Sequence, residues 1–411
     1  MIRRYLLRAL ISHLLLTLTF TVQAWELSGK AGFENRFFFY NPAFVGQRTN
    51  IYYPSLMLNP ELRHDFSNEN NRVIFAPFLR LDPIDTKRTH WDIRELSWQY
   101  KTADWDIKTG VSKVFWGVTE SRHLVDIINQ SDYLEDIDLE DKLGQPLVNL
   151  NLNLNLSKLN GNFSLYYMPY FREREFENRY GRFRPIYPIN SQHPQYPLFE
   201  SSSKAWHQDF AVRWNGAFNG WDIGIAHFWG TSREPTLQLN LLNPSNPAFI
   251  PYYEIINQSS LDVQYTQGAW LWKLEAMTRG GQYKRFQAVV AGFEYTLYDI
   301  GKSGVDLGLL SEYDYDGRNL IKAPPTLYNN NIFIGMRAAF NDTASTEVRA
   351  GLIHDLNDAG KFVNLEATRR INDNWNVELK ARFIIDAPFN DFVLYSFHRD
   401  DYVQIRISRH F

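Results

Sequence analysis

Between Gly117 and Pro146 the chain places Glu120, Asp126, Asp132, Glu135, Asp136, Asp138, Glu140 and Asp141 against only Arg122 and Lys142, a net charge of −6. Carboxylates gathered on one loop favour cations and repel anions, most strongly where the passage is narrow and partly desolvated. Three arrangements are open. The loop folds inward as a constriction with Glu120, Asp126, Asp132, Glu135, Asp136 and Asp138 as its filter, or it is a solvated acidic loop, or it shares divalent cations with lipopolysaccharide. Leu124, Val125, Ile127, Ile128, Leu134 and Ile137 interrupt the acids. A fully solvated loop has no need of them, so packing against a wall or another loop is expected. Under the constriction reading, converting Glu135, Asp136 and Asp138 to amides lowers cation preference without changing folding.

A second loop, residues 171–204, interleaves Arg172, Arg174, Arg179, Arg182 and Arg184 with Phe171, Phe176, Tyr180 and Phe183. Guanidinium forks suit phosphate or carboxylate, and aromatic faces suit sugar rings or cations. Contact with an anionic solute or lipopolysaccharide is one reading. The plainer and preferred one is a loop cross-linked to its neighbours by Arg–carboxylate pairs.

Catalytic constellations are missing. Ser396-x-His398 reverses the His-x-Ser order of barrel phospholipases, and His207-x-Asp209 reverses the Asp-x-His order of barrel proteases. A nucleophile needs a base oriented by a third group, and nothing here specifies one. The histidines lack metal-ligand spacing and there is no cysteine, so no catalytic residue, metal or cofactor is expected.

The elements that must hold these loops are alternating strands. Val148–Ser157 sets leucines against Asn149, Asn151, Asn153 and Asn155, and 375–385 sets Trp375, Val377, Leu379 and Phe383 against Asn376, Glu378, Lys380 and Arg382. The period-2 test finds about eighteen such segments. They lie near 26–39, 55–66, 72–81, 91–102, 105–116, 147–157, 161–170, 205–216, 220–231, 253–266, 269–280, 283–298, 303–315, 328–341, 345–356, 360–371, 374–386 and 400–411. Sixteen is the lower count. Connections alternate in phase between tight turns and long loops, as in a transmembrane barrel with short periplasmic turns and long extracellular loops. The expected fold is therefore all-β, a closed antiparallel barrel of 16–18 strands over 25–411. Its polar face would line the lumen, with Arg337, Arg349, Arg370, Lys380, Arg382 and Arg406 among its charges. Pro77 within a strand and Pro169 near a strand end could each break the wall's hydrogen bonding.

Composition agrees with this architecture. Aromatics make up 16% of the chain, enough to fill two interfacial girdles, and beyond the N-terminus no apolar run is long enough for a spanning helix. Residues 1–24 have basic Arg3, Arg4 and Arg8, an apolar stretch from Ala9 to Val22 and small residues at a cleavage site, and they read as a signal peptide. The remainder has 40 basic and 46 acidic side chains, which gives no support for nucleic-acid binding.

An exported chain ending in the alternating strand Val403-x-Ile405-x-Ile407-x-Arg409-x-Phe411 resembles Gram-negative outer-membrane β-barrels. In that class the terminal Phe strand is the signal read by the barrel-assembly machinery. Arg409 departs from the class, which has an apolar or aromatic residue there, although an Arg at the rim can snorkel. The local pattern G-x5-W-G…D-x-x-N, at Gly110, Trp116, Gly117, Asp126 and Asn129, resembles a segment of a poorly characterised family of porin-like proteins. That resemblance implies a porin-like barrel, with loop 117–146 folded inward as one arrangement, and little about substrate. The partners expected of an outer-membrane barrel are membrane lipid, lipopolysaccharide, the barrel-assembly machinery and small solutes, and the oligomeric state is open. The function expected is passive or weakly selective passage of small hydrophilic solutes. The alternatives are a hydrophobic-solute transporter with a lateral opening, or a non-conducting barrel that binds surface polysaccharide or lipopolysaccharide through its long loops.

Overall fold

The computed structural model describes residues 25–66, 70–156, 159–191, 193, 196–241 and 247–411. Residues 1–24, read above as a signal peptide, lie outside the described residues, as do parts of the turns at 67–69 and 157–158.

The strands are β1 (Glu26–Phe38), β2 (Tyr52–Asp65), β3 (Asn71–Leu81), β4 (His90–Lys101), β5 (Trp105–Ser112), β6 (Gln145–Leu156) and β7 (Leu159–Met168). They continue as β8 (Leu198–Phe199), β9 (Asp209–Phe218), β10 (Trp221–Thr231), β11 (Thr236–Asn240), β12 (Ala248–Tyr253), β13 (Ile255–Gln267) and β14 (Trp270–Gly280). The last are β15 (Phe286–Leu297), β16 (Asp306–Asp316), β17 (Asn330–Ala339), β18 (Glu347–Asp355), β19 (Lys361–Arg370), β20 (Trp375–Asp386) and β21 (Tyr402–His410). Eighteen of them form one antiparallel sheet, each paired with the next in the chain, and β21 returns to β1 from Lys30↔His410 to Phe38↔Tyr402. The sheet is a closed barrel, and each of its strands falls on one of the alternating segments read from the sequence. Three short strands were not foreseen. β11 pairs antiparallel with β12, and β12 pairs parallel with β8, in a small sheet built from two loops.

Alternation decides the two faces. On β1, Glu34, Arg36 and Phe38 are buried while Leu27 and Phe33 are exposed, and on β14 Lys273, Glu275, Met277 and Arg279 are buried while Trp272 is exposed. The exposed outward face is aromatic at both ends, with Trp98, Trp221, Trp270 and Trp375 near the turns and Tyr52, Trp91, Phe210 and Trp229 near the loops. Trp221 stacks on Tyr265 with ring centroids 4.3 Å apart. Amphipathic rings at two levels match the girdles of a lipid-embedded barrel. The Asn face of β6 turns inward, where Asn149 and Asn151 exchange hydrogen bonds and Asn151 donates to Asp106 at 2.9 Å.

Two features mark the wall at its seam and at β3. Phe411 exchanges backbone hydrogen bonds with Gly29 at 3.0 and 3.1 Å across the closing seam. Between β2 and β3 the ladder runs to Leu58↔Leu79 and resumes at Leu62↔Phe75. Pro60 and Pro77 therefore face each other in the gap, where neither has an N–H to donate. On the other side of β3 the register shifts between Ala76 and Pro77, with the extra residue on β4.

Candidate functional site

Strand β5 ends at Ser112, short of the expected 116, because the chain peels off the wall into the barrel. Asn129 fixes the departure. Its Oδ1 accepts from the Val114 N–H at 2.8 Å, and its Nδ2 donates to the carbonyls of Ser112 and Leu143 at 3.0 and 2.8 Å. One amide thus ties the outgoing and returning ends of loop 113–144 together. The other members of the G-x5-W-G…D-x-x-N pattern have structural parts too. Gly110 has φ +123°, and a Cβ there would lie 2.1 Å from the Leu96 carbonyl oxygen. Gly117 has φ +133°, and a Cβ there would press on Glu275 Oε1 at 2.9 Å. Only glycine tolerates that backbone and that approach. Trp116 is buried beneath the Arg213 guanidinium, and Asp126 pairs with Lys142 at 3.2 Å.

Beyond Trp116 two wall carboxylates hold the loop by its backbone. Glu275 on β14 accepts from the Val118, Thr119 and Val125 N–H groups at 2.7, 3.0 and 3.1 Å, and from Thr119 Oγ1 at 2.7 Å. Glu312 on β16 accepts from the Glu120 and Ser121 N–H groups at 2.8 and 2.7 Å. Val125, Ile127 and Ile128 pack with Trp116, Tyr166, Met168, Phe228 and Ile256, while Leu124 packs with Met277 and Phe286. Burying each aliphatic side chain is worth roughly 1.5–3 kcal/mol, so these residues anchor the loop to one side of the lumen. His123 sits between Glu140 and Glu275 at 3.5 and 3.9 Å. Burial alone would lower its pKa, but the two carboxylates outweigh that and raise it to about 10.

The tip of the loop is clamped to the opposite wall. Glu135 takes a fork from Arg80 with Nε 2.7 Å from Oε1, and its carbonyl accepts from Arg36. Asp132 pairs with Arg94 at 2.5 Å. Asp136 accepts from Lys380 and the Tyr402 hydroxyl at 3.0 Å each, and Asp138 pairs with Arg382 at 2.9 Å. Partners on β1, β3, β4, β14, β16, β20 and β21 are reachable at once only through the lumen, so the loop crosses the barrel. Burial would raise the Asp136 carboxyl, yet Lys380 and Arg382 hold it well below the usual carboxylate range. Asp138 goes the other way: burial first and Asp136 second push it up to about 6, against Lys380 and Arg382. His90, Asp132 and Glu135 bring potential ligand atoms within 4.8 Å of one another. Arg94 and Arg80 already occupy those two carboxylates, and their charge opposes a cation, so the trio is part of the ion-pair network.

What remains open is a cavity of about 800 Å³ on the side of β16–β21. Glu120 and Asp138 line it with Glu140, whereas Asp132, Glu135 and Asp136 stand behind it as anchors, and Asp126 reaches it but is spent on Lys142. Of the expected lumen charges, Arg337, Arg349, Lys380, Arg382 and Arg406 line the cavity. Arg370 does not: it is exposed at the turn-side rim, where it donates to the Thr343 carbonyl. Arg337 pairs with Glu120 at 2.8 Å, Arg349 with Glu366 at 3.1 Å, and Arg406 with Glu34 at 2.6 Å. Arg349 and Glu140 keep 47% and 53% of their side chains exposed, so ions of both signs face the water. In loop 171–204, Arg172 pairs with Asp92 and Arg182 with Asp400, both at 2.7 Å, while Phe171, Phe176 and Phe183 are buried. Arg172 and Arg182 thus form the preferred carboxylate cross-links, to acids of β4 and of loop 387–401, whereas Arg174 and Arg184 tie the loop down through Gln130 and backbone carbonyls.

Sequence reading passed over Glu275, Glu312, His123 and the tethering role of Asn129. The signal available was that these acids alternate inward on strands, which gave no hint that their partners are backbone amides. No family model matches the sequence, and no curated protein matches it. Among solved structures, the barrel is similar to a BenF-like porin from Pseudomonas fluorescens Pf-5, with a TM-score of 0.54 at 10% identity over 94% of this chain and 97% of that one. A substituted form of the Rh. blastica porin matches with a TM-score of 0.45 at 10% identity, over 94% and 100% of the two chains. The likeness to the BenF-like porin establishes a porin-type barrel fold.

Proposed function

We propose that this porin-type barrel is an outer-membrane channel for passive or weakly selective passage of small hydrophilic solutes. The observation that carries the reading is the cavity of about 800 Å³ left between the crossing loop and β16–β21, lined by Glu120, Asp138 and Glu140 on the loop and by Arg337, Arg349 and Glu366 on the wall. A constriction built this way admits hydrated solutes and weights them by charge. The export signal read at 1–24 and the aromatic girdles support the location.

Planar-bilayer recording of the refolded barrel tests it: stable ohmic steps are expected. The cation preference should come from the loop carboxylates on the cavity. With its pKa near 6, Asp138 is ionised above that pH and neutral below it. Cation preference should therefore fall as pH is lowered from 7 to 5, and the Asp138→Asn variant should show the reduced preference throughout with a flatter pH profile. Reversal potentials that do not move with pH in either protein would place Asp138 outside the permeation path. The Glu135→Gln, Asp136→Asn, Asp138→Asn triple variant is a poorer probe than the sequence suggests, because the first two residues hold buried arginines and a lysine.

One observation favours a second reading, a hydrophobic solute leaving sideways through the wall: the gap at Pro60 and Pro77 removes hydrogen bonds between β2 and β3. In the same experiment, silent bilayers together with uptake of a labelled fatty acid into liposomes would favour it over the channel. Silence with glycan binding to the loop face would favour the scaffold.

Assembly by the barrel-assembly machinery is proposed to read the terminal strand through Phe411. Its removal also takes away the bonds to Gly29 that close the β1–β21 seam. Folded, heat-modifiable protein should drop severalfold in the Phe411 deletion, with unfolded chain accumulating in the periplasm. Normal assembly would show that the strand is recognised elsewhere.

A further inference from the structure

The wall of the cavity is ordered in rows. Cross-strand register makes Phe333, Ile353, Phe362 and Ile384 successive partners on β17, β18, β19 and β20. Four residues nearer the turns, Arg337, Arg349, Glu366 and Lys380 are partners in the same way. Between the rows lie Gly335, Gly351, Asn364 and Arg382. The Phe333 ring leans over both glycines, with a Cβ at Gly351 coming 2.4 Å from it and one at Gly335 coming 2.7 Å. Two side chains are thus missing where they would separate an apolar shelf from an ionic one. Asn364 lines the cavity and leaves its Oδ1 without a hydrogen-bond partner.

The row keeps only 5–8% of its surface exposed and packs with Leu394, Phe397, Ile137 and Tyr328, yet all four residues line the cavity, so an apolar group that reaches them is sheltered from water. A cavity of this size with an apolar wall and a few convergent polar groups has the character of a small-molecule site. The ionic row sets the head group. Arg337 has Glu120 at 2.8 Å, Arg349 has Glu366 at 3.1 Å, and Arg382 has Glu366 at 2.7 Å. A solute bearing one charge must come to rest beside a like charge, whichever sign it carries. A solute bearing both can set its anion on Arg349 and its cation on Glu366 and the Asn364 oxygen, matching the row pair by pair.

We infer that the cavity is a subsite for a small zwitterion with an apolar side group, the apolar group against Phe333, Ile353, Phe362 and Ile384 and the head against Arg349 and Glu366. This rests on the channel reading for transport, but binding can be measured without current.

Four probes separate the features: L-phenylalanine, glycine, 3-phenylpropionate and phenethylamine. In planar bilayers phenylalanine should interrupt the current reversibly, at concentrations severalfold below those at which any of the other three does. Ile353→Thr, which keeps a β-branched strand residue, should weaken the phenylalanine effect severalfold, and Arg349→Gln should do the same. Equal interruption by glycine would put the apolar row outside the path, and equal interruption by 3-phenylpropionate would leave a simple anion site; either result overturns the inference. Equilibrium dialysis of labelled phenylalanine against the detergent-folded barrel decides the matter if no current is seen. Saturable binding weakened in Ile353→Thr would support the subsite although the channel reading had failed, and absence of saturable binding would overturn it. Heat-modifiable migration of each variant confirms that the barrel has formed.

Discussion

Replacing Glu34 with alanine should lower the temperature at which the barrel unfolds more than any single change to an exposed ion pair. Glu34 is fully buried on β1, and its two oxygens serve Arg80 at 3.1 Å, Arg88 at 3.1 Å and Arg406 at 2.6 Å, with Arg36 at 3.7 Å. These guanidiniums come from β1, β3, the loop after β3, and β21, so the carboxylate bridges the closing seam. Glu135, Asp82 and Glu378 remain for Arg80, Arg88 and Arg406, but the centre would hold converging positive charge with its shared counterion gone. Breaking a buried pair on one side costs about 3–5 kcal/mol, mostly because the surviving charge is left uncompensated. The Glu34→Gln variant keeps the shape and one acceptor and should fall between. Asp65→Asn is the control: Asp65 bonds Arg63 and Arg72 but is about a third exposed, so its loss should cost under about 1 kcal/mol. Equal unfolding temperatures for Glu34→Ala and Asp65→Asn in heat-modifiability gels would show that the Glu34 cluster is not a stabilising centre.

The barrel was legible in the sequence because its strands are uniform in kind. A wall between lipid and water forces period 2 on every strand, and a reader needs only that period and the phase of the loops to place all eighteen. Loop 113–144 was legible in part. Its charge and its aliphatic residues say that it packs against something, yet the inward course rests on partners distributed around the whole circumference. Lys380 and Arg382 are read from the sequence as lumen charges at best, and nothing local says which acid each will meet. The acids themselves divide by neighbour rather than by type. Asp136 and Asp138 are two residues apart, but the first is held ionised by Lys380 and Arg382 while the second is pushed towards neutrality by burial and by the first. Arg370 shares the inward phase of Glu366 on β19, and only its distance along the strand puts it at the rim. Cross-strand register, which sequence does not fix, also creates the apolar row from single residues on four strands.

Removing the carboxylates of Glu275 and Glu312 together should open the channel rather than destroy the barrel. Both sit on the inner face of strands whose outward faces and ladders are untouched by the change, and neither belongs to the Glu34 cluster. Their partners are the amides of Val118, Thr119, Val125, Glu120 and Ser121 and the hydroxyls of Thr119 and Ser121, so the double variant Glu275→Ala, Glu312→Ala strips seven hydrogen bonds from residues 118–125. Hydrogen bonds to a charged group contribute about 1.5–3 kcal/mol each, and the freed N–H groups can turn to lumen water instead of staying buried. The tip is unaffected, because Asp136 and Asp138 still reach Lys380 and Arg382. Segment 117–125 then keeps its aliphatic contacts, the Arg122–Asp316 and Glu120–Arg337 pairs at 2.9 and 2.8 Å and the bond from the Tyr328 hydroxyl to the Ser121 carbonyl, but its backbone amides are no longer pinned to β14 and β16 and it should move more widely in the lumen. Single-channel conductance should rise severalfold and current noise should increase, while the unfolding temperature moves less than in Glu34→Ala. Glu275→Gln keeps one acceptor and should give a smaller rise. Conductance unchanged in the double variant would mean that the packing of Leu124, Val125 and Ile127 and the ion pairs of Glu120 and Arg122 hold the segment, and that the wall carboxylates only satisfy amides already put in place.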